Sequence, residues 1–370
     1  MENKSKKICH LTTAHYPLDN RIFYKECLSL KKAGYDVIII APNSDDKIVK
    51  GVKILSIPKY QNLKKRLSIT IFHILKKSFK VNADIYHFHE PELILVGLLL
   101  FFKNKRVIYD VHENYITSIE QREYLNNILK FILKKIFYVI ENFASRFFEI
   151  ILAEKYYAER FPQQITVLNY PKKDMFIKKV RHFPKNEFSL IYTGTITEDR
   201  GALIYADIAQ KLDNINIYLI GKCSYNVANK IKKRANYNNN IQIIGLNRYI
   251  PYKEICNYLK QNRWLAGLAI FPETSHYVKK ELTKFFEYMA VGLPIIYSAF
   301  PVWENLIDSN KAGISVNPNS IPDIINTIKW LVDNPLAAKK MGINGLKAVE
   351  TFFNWENEEK KLLKLYKNNI

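Results

Sequence analysis

The chain has 370 residues, 48% of them hydrophobic and 13% aromatic, and is longer than the roughly 150 residues of a typical domain. This composition can build hydrophobic cores and excludes a chain that is disordered as a whole. The formal net charge is +21, so we expect a partner that carries negative charge.

The spacing of the cysteines and the length of the apolar runs indicate the cellular compartment. The first residues contain no recognisable secretory signal, and the longest apolar run, 93–102, is shorter than the roughly 20 residues of a membrane-spanning helix. The cysteines lack Cys-x-x-Cys spacing, which argues against a zinc site or a disulfide framework and fits a reducing cytoplasm. They are Cys9, Cys27, Cys223 and Cys256. We therefore expect a cytoplasmic protein that is soluble or peripheral to a membrane.

Strand-like and helix-like patterns alternate along the chain, which predicts parallel sheets covered by helices. A first group of strands is predicted at 7–12, 36–41, 52–57, 85–89, 107–111 and 150–153, with a helix at 20–33. A hinge is predicted at 169–173. A second group of strands is predicted at 189–193, 217–220, 241–244, 268–271, 294–298 and 313–316, with helices at 202–212, 252–259 and 321–332. The last predicted helix, 354–367, is amphipathic and returns to the first domain.

Histidines and carboxylates follow two strands of the first group. His87, His89 and Glu90 lie in one stretch, and His112 and Glu113 lie in the other. Such density makes a metal site conceivable, but no third ligand is fixed in sequence beside His87 and His89. Hydrogen-bonding groups for a polyhydroxylated ligand are better supported, and we predict no metal.

Two segments mix cations with apolar residues, at 63–77 and 128–137. Basic amphipathic segments are typical of surfaces that dock on anionic membranes. Nucleic acid is the rival partner, but the sequence contains no finger, ribonucleoprotein-type aromatic motif or arginine-rich tail. The remaining alternative is a solvated helix face in a lysine-rich protein.

A loop from Gly194 to Gly201 joins a predicted strand to a helix. Gly194 permits close backbone approach, and Arg200 offers a planar guanidinium to a diphosphate. The loop lacks the Gly-Lys-Ser/Thr ending of a P-loop and the full Gly-x-Gly-x-x-Gly of a dinucleotide site. On its own it is equally an ordinary loop with a surface arginine.

The segment 281–294 places one carboxylate, Glu287, inside an otherwise apolar helical pattern. Unpaired N–H groups around Thr283, the helix dipole and Lys284 suit an anionic ligand such as a diphosphate. The Glu287 carboxylate lies about one turn further in, and a pair of sugar hydroxyls would satisfy it. Gly292 then ends the helix. The alternative is a helix in which Glu287 points to solvent.

Taken together, several stretches resemble glycosyltransferase family 4 (glycosyl transferases group 1), of the bacterial surface-polysaccharide type. The resemblance covers nearly the whole length and rests on the number, order and spacing of the matching pieces. They lie at 16–21, 87–93, 109–113, 168–171, 193–201 and 283–294.

The resemblance implies the GT-B fold, in which two Rossmann-like α/β domains face each other across a cleft. The N-terminal acceptor-binding domain would comprise 1–170 with a returning helix at 352–370. The C-terminal domain that binds the nucleotide sugar would comprise 171–351.

The implied reaction is a retaining transfer of a hexose-type sugar from a UDP- or GDP-linked donor, without metal or other cofactor. The acceptor would be a glycan or a lipid-linked glycan precursor at the inner face of the cell membrane. An anionic membrane surface would be a further partner, and specific nucleic acid would not.

The resemblance also assigns roles to residues. Glu287 would hold the donor ribose, Arg200 would steady the diphosphate, and His112 would lie near the transferred sugar, so that His112 and Arg200 are the catalytic candidates. The donor-binding candidates are Gly194, Thr195, Arg200, Gly245, Leu246, Leu282, Thr283, Lys284 and Glu287. The acceptor-side candidates are Asp19, Arg21, His89, Glu90 and Glu113.

Two positions depart from the family pattern. Lys279 stands eight residues before Glu287, where the family commonly has a glutamate that contacts the donor sugar. Thr195 follows Gly194 where a basic residue is common. Both departures leave a non-catalytic, glycosyltransferase-like binding subunit as the alternative, with a sugar-nucleotide epimerase of the same fold as a weaker one.

Overall fold

The computed structural model describes residues 5–60, 66–112, 119, 126–175 and 188–367. The chain divides into two compact units. The first comprises Met1–Asn169 with Glu358–Ile370, and the second comprises Tyr170–Asn357. Each unit is a parallel sheet flanked by helices, as the alternating pattern predicts.

The sheet of the first unit has the strand order β3-β4-β2-β1-β5-β6-β7-β8 among the described residues. All neighbours are parallel except β3, which pairs antiparallel with β4. The strands are β1 (Lys7–Leu11), β2 (Asp36–Pro42), β3 (Lys47–Val49), β4 (Val52–Ile57), β5 (Ile85–Phe88), β6 (Arg106–Val111), β7 (Glu149–Leu152) and β8 (Ile165–Thr166).

The helices of the first unit follow the connections between these strands. A π-helical stretch, Ile22–Cys27, leads into the first α-helix, and a second π-helical stretch, Arg66–Thr70, precedes the next. The α-helices are α1 (Leu28–Lys32), α2 (Ile71–Val81), α3 (Ile94–Phe101) and α4 (Asn127–Ala144). Crossover connections between parallel strands have the same hand. The connections that contain α2, α3 and α4 all run toward the β8 edge of the sheet, so these helices lie on one face.

The two faces of the central strands differ in chemistry. Successive side chains of a strand point to opposite faces. Cys9 and Phe88 belong to the apolar core that also contains Ile74 of α2 and Ala144 of α4. His10 projects to the opposite face and is fully buried there.

The second unit contains a parallel sheet in the order β11-β10-β9-β12-β13-β14. Its strands are β9 (Phe188–Thr193), β10 (Ile215–Cys223), β11 (Ile241–Leu246), β12 (Trp264–Ala269), β13 (Ile295–Ser298) and β14 (Gly313–Val316). The helices are α5 (Ala202–Lys211), α6 (Tyr225–Arg234), α7 (Tyr252–Leu259), α8 (Thr283–Ala290), α9 (Pro301–Ser309), α10 (Ile321–Asp333), α11 (Pro335–Thr351) and α12 (Trp355–Lys367).

The last helix, α12, contributes its residues from Glu358 onward to the first unit. The Glu358 carboxylate accepts from the Leu168 N–H at 2.9 Å, and the Tyr366 hydroxyl lies 2.8 Å from His87 Nδ1. The amphipathic pattern therefore correctly predicted a helix that returns to the first domain.

One predicted strand was misplaced. The strand predicted at 268–271 ends at Ala269 and begins at Trp264. The apolar run continues through Ile270 and Phe271, but their backbone leaves the ladder, and the Phe271 N–H donates to Ser298 Oγ at 2.8 Å. Hydrophobicity alone therefore shifted the prediction toward the carboxyl end.

Candidate active site

Three adjacent strands of the second unit have a glycine within two residues of their carboxyl ends, and we call these glycines, Gly194, Gly221 and Gly245, the glycine row. All three have positive φ, at 115°, 154° and 112°. A Cβ on Gly221 would lie 1.9 Å from the Gly194 carbonyl oxygen, and one on Gly245 would lie 2.4 Å from the Gly221 oxygen. Glycine is therefore required for the close approach of these neighbouring backbones, at the carboxyl edge where ligands bind in such sheets.

Arg200 lies beside this row, on the turn that follows β9. Its Nε donates to the Tyr277 hydroxyl at 2.9 Å, and that hydroxyl donates to Asp199 at 2.9 Å. Burial alone would lower the pKa of Arg200, but Tyr192 and Tyr277 raise it above its usual value. The guanidinium is therefore a fixed positive charge, oriented by an aromatic hydroxyl.

Lys284, in the first turn of α8, is a second basic side chain at the same place and is 7% exposed. Its Nζ lies 3.9 Å from the ring centre of Tyr192 and 3.8 Å from a Cβ built on Gly194. Burial, reinforced by repulsion from Arg200, holds the pKa of Lys284 well below its ordinary value. The Glu287 carboxylate only partly opposes this effect, so an incoming anion would favour the protonated form of Lys284.

The remaining donor-side candidates surround these two basic side chains. Thr283 begins α8 and is exposed, while Leu282 precedes it with extended backbone and is buried. Glu287 lies one turn into α8 and is half-buried. Thr195 is exposed, as is Leu246 beyond the glycine row. Gly292 ends the helix with a φ of 65°, as predicted.

The first unit brings four histidines together, His10, His87, His89 and His112, which we call the imidazole row. Pairing of β1 with β5 sets His10 opposite His87. Ring centres are 4.6 Å apart for His87 and His89 and 4.9 Å apart for His89 and His112. The row runs from a fully buried end at His10 to His112, whose side chain is 11% exposed.

Asp110 lies under the exposed end of the imidazole row. Its Oδ2 lies 2.6 Å from His112 Nε2, and its Oδ1 accepts from Arg21 at 2.9 Å. Burial would raise the pKa of Asp110, but the Arg21 guanidinium, with His112, holds it well below its usual range. A permanent carboxylate therefore faces His112.

Arg21 and Glu90, which the resemblance implies as acceptor-side residues, are both buried and held by hydrogen bonds within the first unit. Arg21 is 4% exposed and also donates to the Val167 carbonyl at 2.7 Å. Glu90 is 2% exposed, accepts from the Thr13 N–H at 3.0 Å and from the Thr12 hydroxyl, and thereby ties down the loop after β1.

His89 is likewise buried, at 2% exposed. Asp19 and His112 reach the surface, with Asp19 held 3.7 Å from His15. Glu113 lies outside the described residues. His10, Glu26 and Asp110 were not chosen as site residues from the sequence, because only the strand order places them beside the others.

Two groups of side chains have the ligand atoms and spacing for a divalent cation. One comprises His10, Glu26, His87 and His89, and the other His89, Asp110 and His112. The sequence did not show a third ligand beside His87 and His89, because only the fold brings His10 and Glu26 next to them. Three imidazoles and a carboxylate are a donor set that zinc accepts. The same atoms also pair directly, with His10 Nδ1 3.0 Å from His89 Nε2.

Comparison with known proteins agrees with this architecture. The family model of glycosyl transferases group 1 matches residues 174–348, and that of glycosyltransferase family 4 matches residues 20–195. An uncharacterized glycosyltransferase of Methanocaldococcus jannaschii is 21% identical, with 91% of each chain covered.

Solved structures are similar in fold. A sucrose-phosphate synthase of Thermosynechococcus elongatus has a TM-score of 0.77 at 15% identity, with 98% of each chain covered. HepE of Anabaena in complex with UDP-glucose has a TM-score of 0.72 at 12% identity, covering 97% of this chain and 99% of that one.

The fold and the two family matches, which together span residues 20–348, define a GT-B glycosyltransferase. The chain belongs to glycosyltransferase family 4.

Proposed function

We propose that the protein is a retaining glycosyltransferase that moves a hexose-type sugar from a UDP- or GDP-linked donor to a glycan or lipid-linked acceptor. One observation carries the proposal: the Arg200 guanidinium and the Lys284 amine stand beside Gly194, at a strand edge next to a helix N-terminus. A fixed guanidinium, an amine that a bound anion would protonate, and the N–H groups of a helix N-terminus suit the diphosphate of a nucleotide. Glu287, one turn along α8, is suited to accept from two ribose hydroxyls.

The chemistry follows from charge. As the bond between the sugar and the diphosphate breaks, negative charge develops on the phosphate oxygens, and pre-oriented cations stabilise it. The acceptor hydroxyl attacks the face that the diphosphate leaves and gives its proton to a phosphate oxygen. Configuration is retained, and no covalent enzyme intermediate forms. His112, fixed by Asp110, would hydrogen-bond the sugar during the transfer.

The reaction as proposed needs no metal or other cofactor, because Arg200 and Lys284 supply the positive charge that a divalent ion otherwise would. The acceptor is proposed to be a growing bacterial surface glycan on a lipid carrier, which places the enzyme at the cytoplasmic face of the membrane. The structural similarity to HepE, solved with UDP-glucose, supports a nucleotide-sugar donor.

The test is donor binding and turnover in Glu287→Ala and Arg200→Ala. Calorimetry with UDP and GDP should show binding to the parent protein that falls at least about tenfold in each variant, as expected for the loss of one charge-assisted contact. Arg234→Ala is the matched control, because Arg234 is exposed and pairs with Asp207 at 2.6 Å outside the candidate site. Parent-like binding and donor turnover in both site variants would contradict the site.

A non-catalytic binding subunit is the second candidate, supported by Lys279 and Thr195 at positions where the family commonly has other charges. It predicts no binding of UDP, GDP or their sugars by the parent protein. A sugar-nucleotide epimerase, the weaker alternative, would convert the donor without any acceptor, which mass spectrometry of the products detects.

A further inference from the structure

The outer face of α4 is apolar and exposed. Ile128 is 73% exposed and Val139 63%, although both are aliphatic. At 100° per residue most of the exposed apolar side chains form one stripe along the helix, and the exposed Phe131 and Tyr138 lie to one side of it. The stripe comprises Ile128, Leu129, Ile132, Ile136, Val139, Ile140 and Phe143.

The helix is attached mainly through its last turns. Glu141 and Ala144 are its buried residues. The Glu141 carboxylate accepts from the Tyr109 hydroxyl at 2.7 Å and pairs with Arg160. The stripe therefore faces solvent, because the ion pair between Glu141 and Arg160 fixes the opposite side of the helix against the first unit.

The stripe continues onto α3. Leu95 is 65% exposed and Phe102, just after this helix, is 69% exposed. Phe101 and Phe143 both pack on Phe147, with ring centres 5.5 Å and 5.2 Å away. The two helices thus share one apolar surface, whereas single exposed apolar residues on a protein are usually scattered.

The charges around this surface have one sign. Lys103, Lys135 and Arg146 are exposed at its border. Along α3 and α4 the sequence contains a single carboxylate, Glu141, which is buried and paired. Apolar side chains bordered by cations complement an anionic lipid surface.

Among the described residues, no helix is long and apolar enough to cross a bilayer. An amphipathic helix of this kind instead lies in the plane of the interface, with its apolar face among the acyl chains.

We propose that the outer faces of α3 and α4 form a docking surface for an anionic lipid bilayer. The inference deepens the proposed function, and rests on it only for the lipid-linked acceptor. It also refines the prediction, made from the sequence, that the basic amphipathic segments 63–77 and 128–137 dock on an anionic membrane. The second segment lies within the docking surface, whereas part of the first lies outside the described residues.

Vesicle sedimentation tests the surface. The full-length protein should bind vesicles with about 30% phosphatidylglycerol at least about tenfold more tightly than neutral phosphatidylcholine vesicles, because a few lysines near the surface contribute that much. The double variant Ile132→Asp/Ile136→Asp should lose at least about tenfold in affinity, because two charges would enter the apolar layer. Leu336→Asp is the control, because Leu336 is an exposed leucine of the second unit.

Two outcomes overturn the proposal. One is equal binding of the parent and the double variant to anionic vesicles. The other is a concentration-dependent dimer that the double variant abolishes without any vesicle binding, which would make a second copy of the chain the occupant. Calorimetry with UDP and GDP on the same variants separates the two proposals, since loss of docking should leave nucleotide binding unchanged.

Discussion

The Asp110 carboxylate lies 2.6 Å from His112 Nε2, while Arg21 binds its other oxygen at 2.9 Å. Because the pKa of Asp110 is held low by Arg21, this carboxylate only accepts, so the 2.6 Å contact requires a proton on His112 Nε2, and this contact dominates over Arg21 Nε, which lies 3.2 Å from the same nitrogen. His112 Nδ1 is then the acceptor nitrogen. Asp110 is a positioning residue, which sets the tautomer in which His112 meets a ligand.

The variant Asp110→Asn tests this role. The amide can donate to Nε2 and so favours the opposite tautomer, which should lower kcat roughly a hundredfold while the KM of the donor changes little. Asp333→Asn, at an exposed carboxylate, is the control. Steady-state kinetics of nucleotide release decide the matter, and a change confined to KM would contradict the assignment.

The glycine row should not tolerate side chains. In Gly221→Ala the methyl group would overlap the Gly194 carbonyl, so the free energy of unfolding should fall by more than about 2 kcal/mol and nucleotide binding should be lost. Gly34→Ala is matched, because Gly34 has a φ of 94° with nothing within 4 Å, and it should cost only about 1 kcal/mol. Chemical denaturation compares the two. Equal losses would show that backbone strain, rather than close approach, governs the row.

Nucleotide binding should be coupled to proton uptake at Lys284. Burial and Arg200 lower the pKa of this ammonium, and a diphosphate placed beside it would raise the pKa again. At about pH 8 we therefore expect uptake of up to about one proton per nucleotide bound. Calorimetry in buffers of different ionisation enthalpy measures it. Lys284→Arg should bind without uptake, and unchanged uptake in that variant would place the proton elsewhere.

The first unit should lose stability on mild acidification. Burial lowers the pKa of His89 from 6.5 to about 3, and it also lowers the pKa of His10 and His87. As the pH falls below about 6.5, the unfolded chain binds protons that the folded chain does not, so stability is lost by about 1.4 kcal/mol per pH unit for each histidine. Glu26 offsets the contribution of one of the three histidines, because its raised pKa keeps a proton on its carboxyl group in the folded state.

Denaturation at several pH values between about 7.5 and 5.5 measures this slope. His87→Gln should flatten it by about one proton, because one of the three imidazoles is removed. A free energy of unfolding that is constant or rises on acidification would be incompatible with neutral buried imidazoles.

Metal independence can be tested on the same protein. Donor turnover should survive dialysis against EDTA, because Arg200 and Lys284 carry the charge at the diphosphate. Elemental analysis of the purified protein checks the His10 and Glu26 group independently. Loss of turnover on chelation, with recovery on adding zinc or magnesium, would contradict the expectation.

Local signals predicted much of the fold and little of the first unit's site. Apolar runs and glycines located most strands, and a capping pattern located α8, because these features act over a few residues. The short hairpin strand β3 was missed, since Lys47–Val49 is mostly exposed and has no buried pattern. The meeting of His10 with His87 and Asp110 depends on the strand order β1-β5-β6, which pairs residues far apart in sequence and leaves no local trace.

The hydrogen bond between Tyr366 and His87 also affects the order in which the two units can fold during translation. The first unit lacks this contact until the end of the chain has been translated, whereas Tyr170–Asn357 is continuous. The second unit can therefore complete its fold while the first still waits for α12. A fragment that stops at residue 169 would leave His87 without its tyrosine, so any attempt to isolate the first unit must supply residues 358–367 as well.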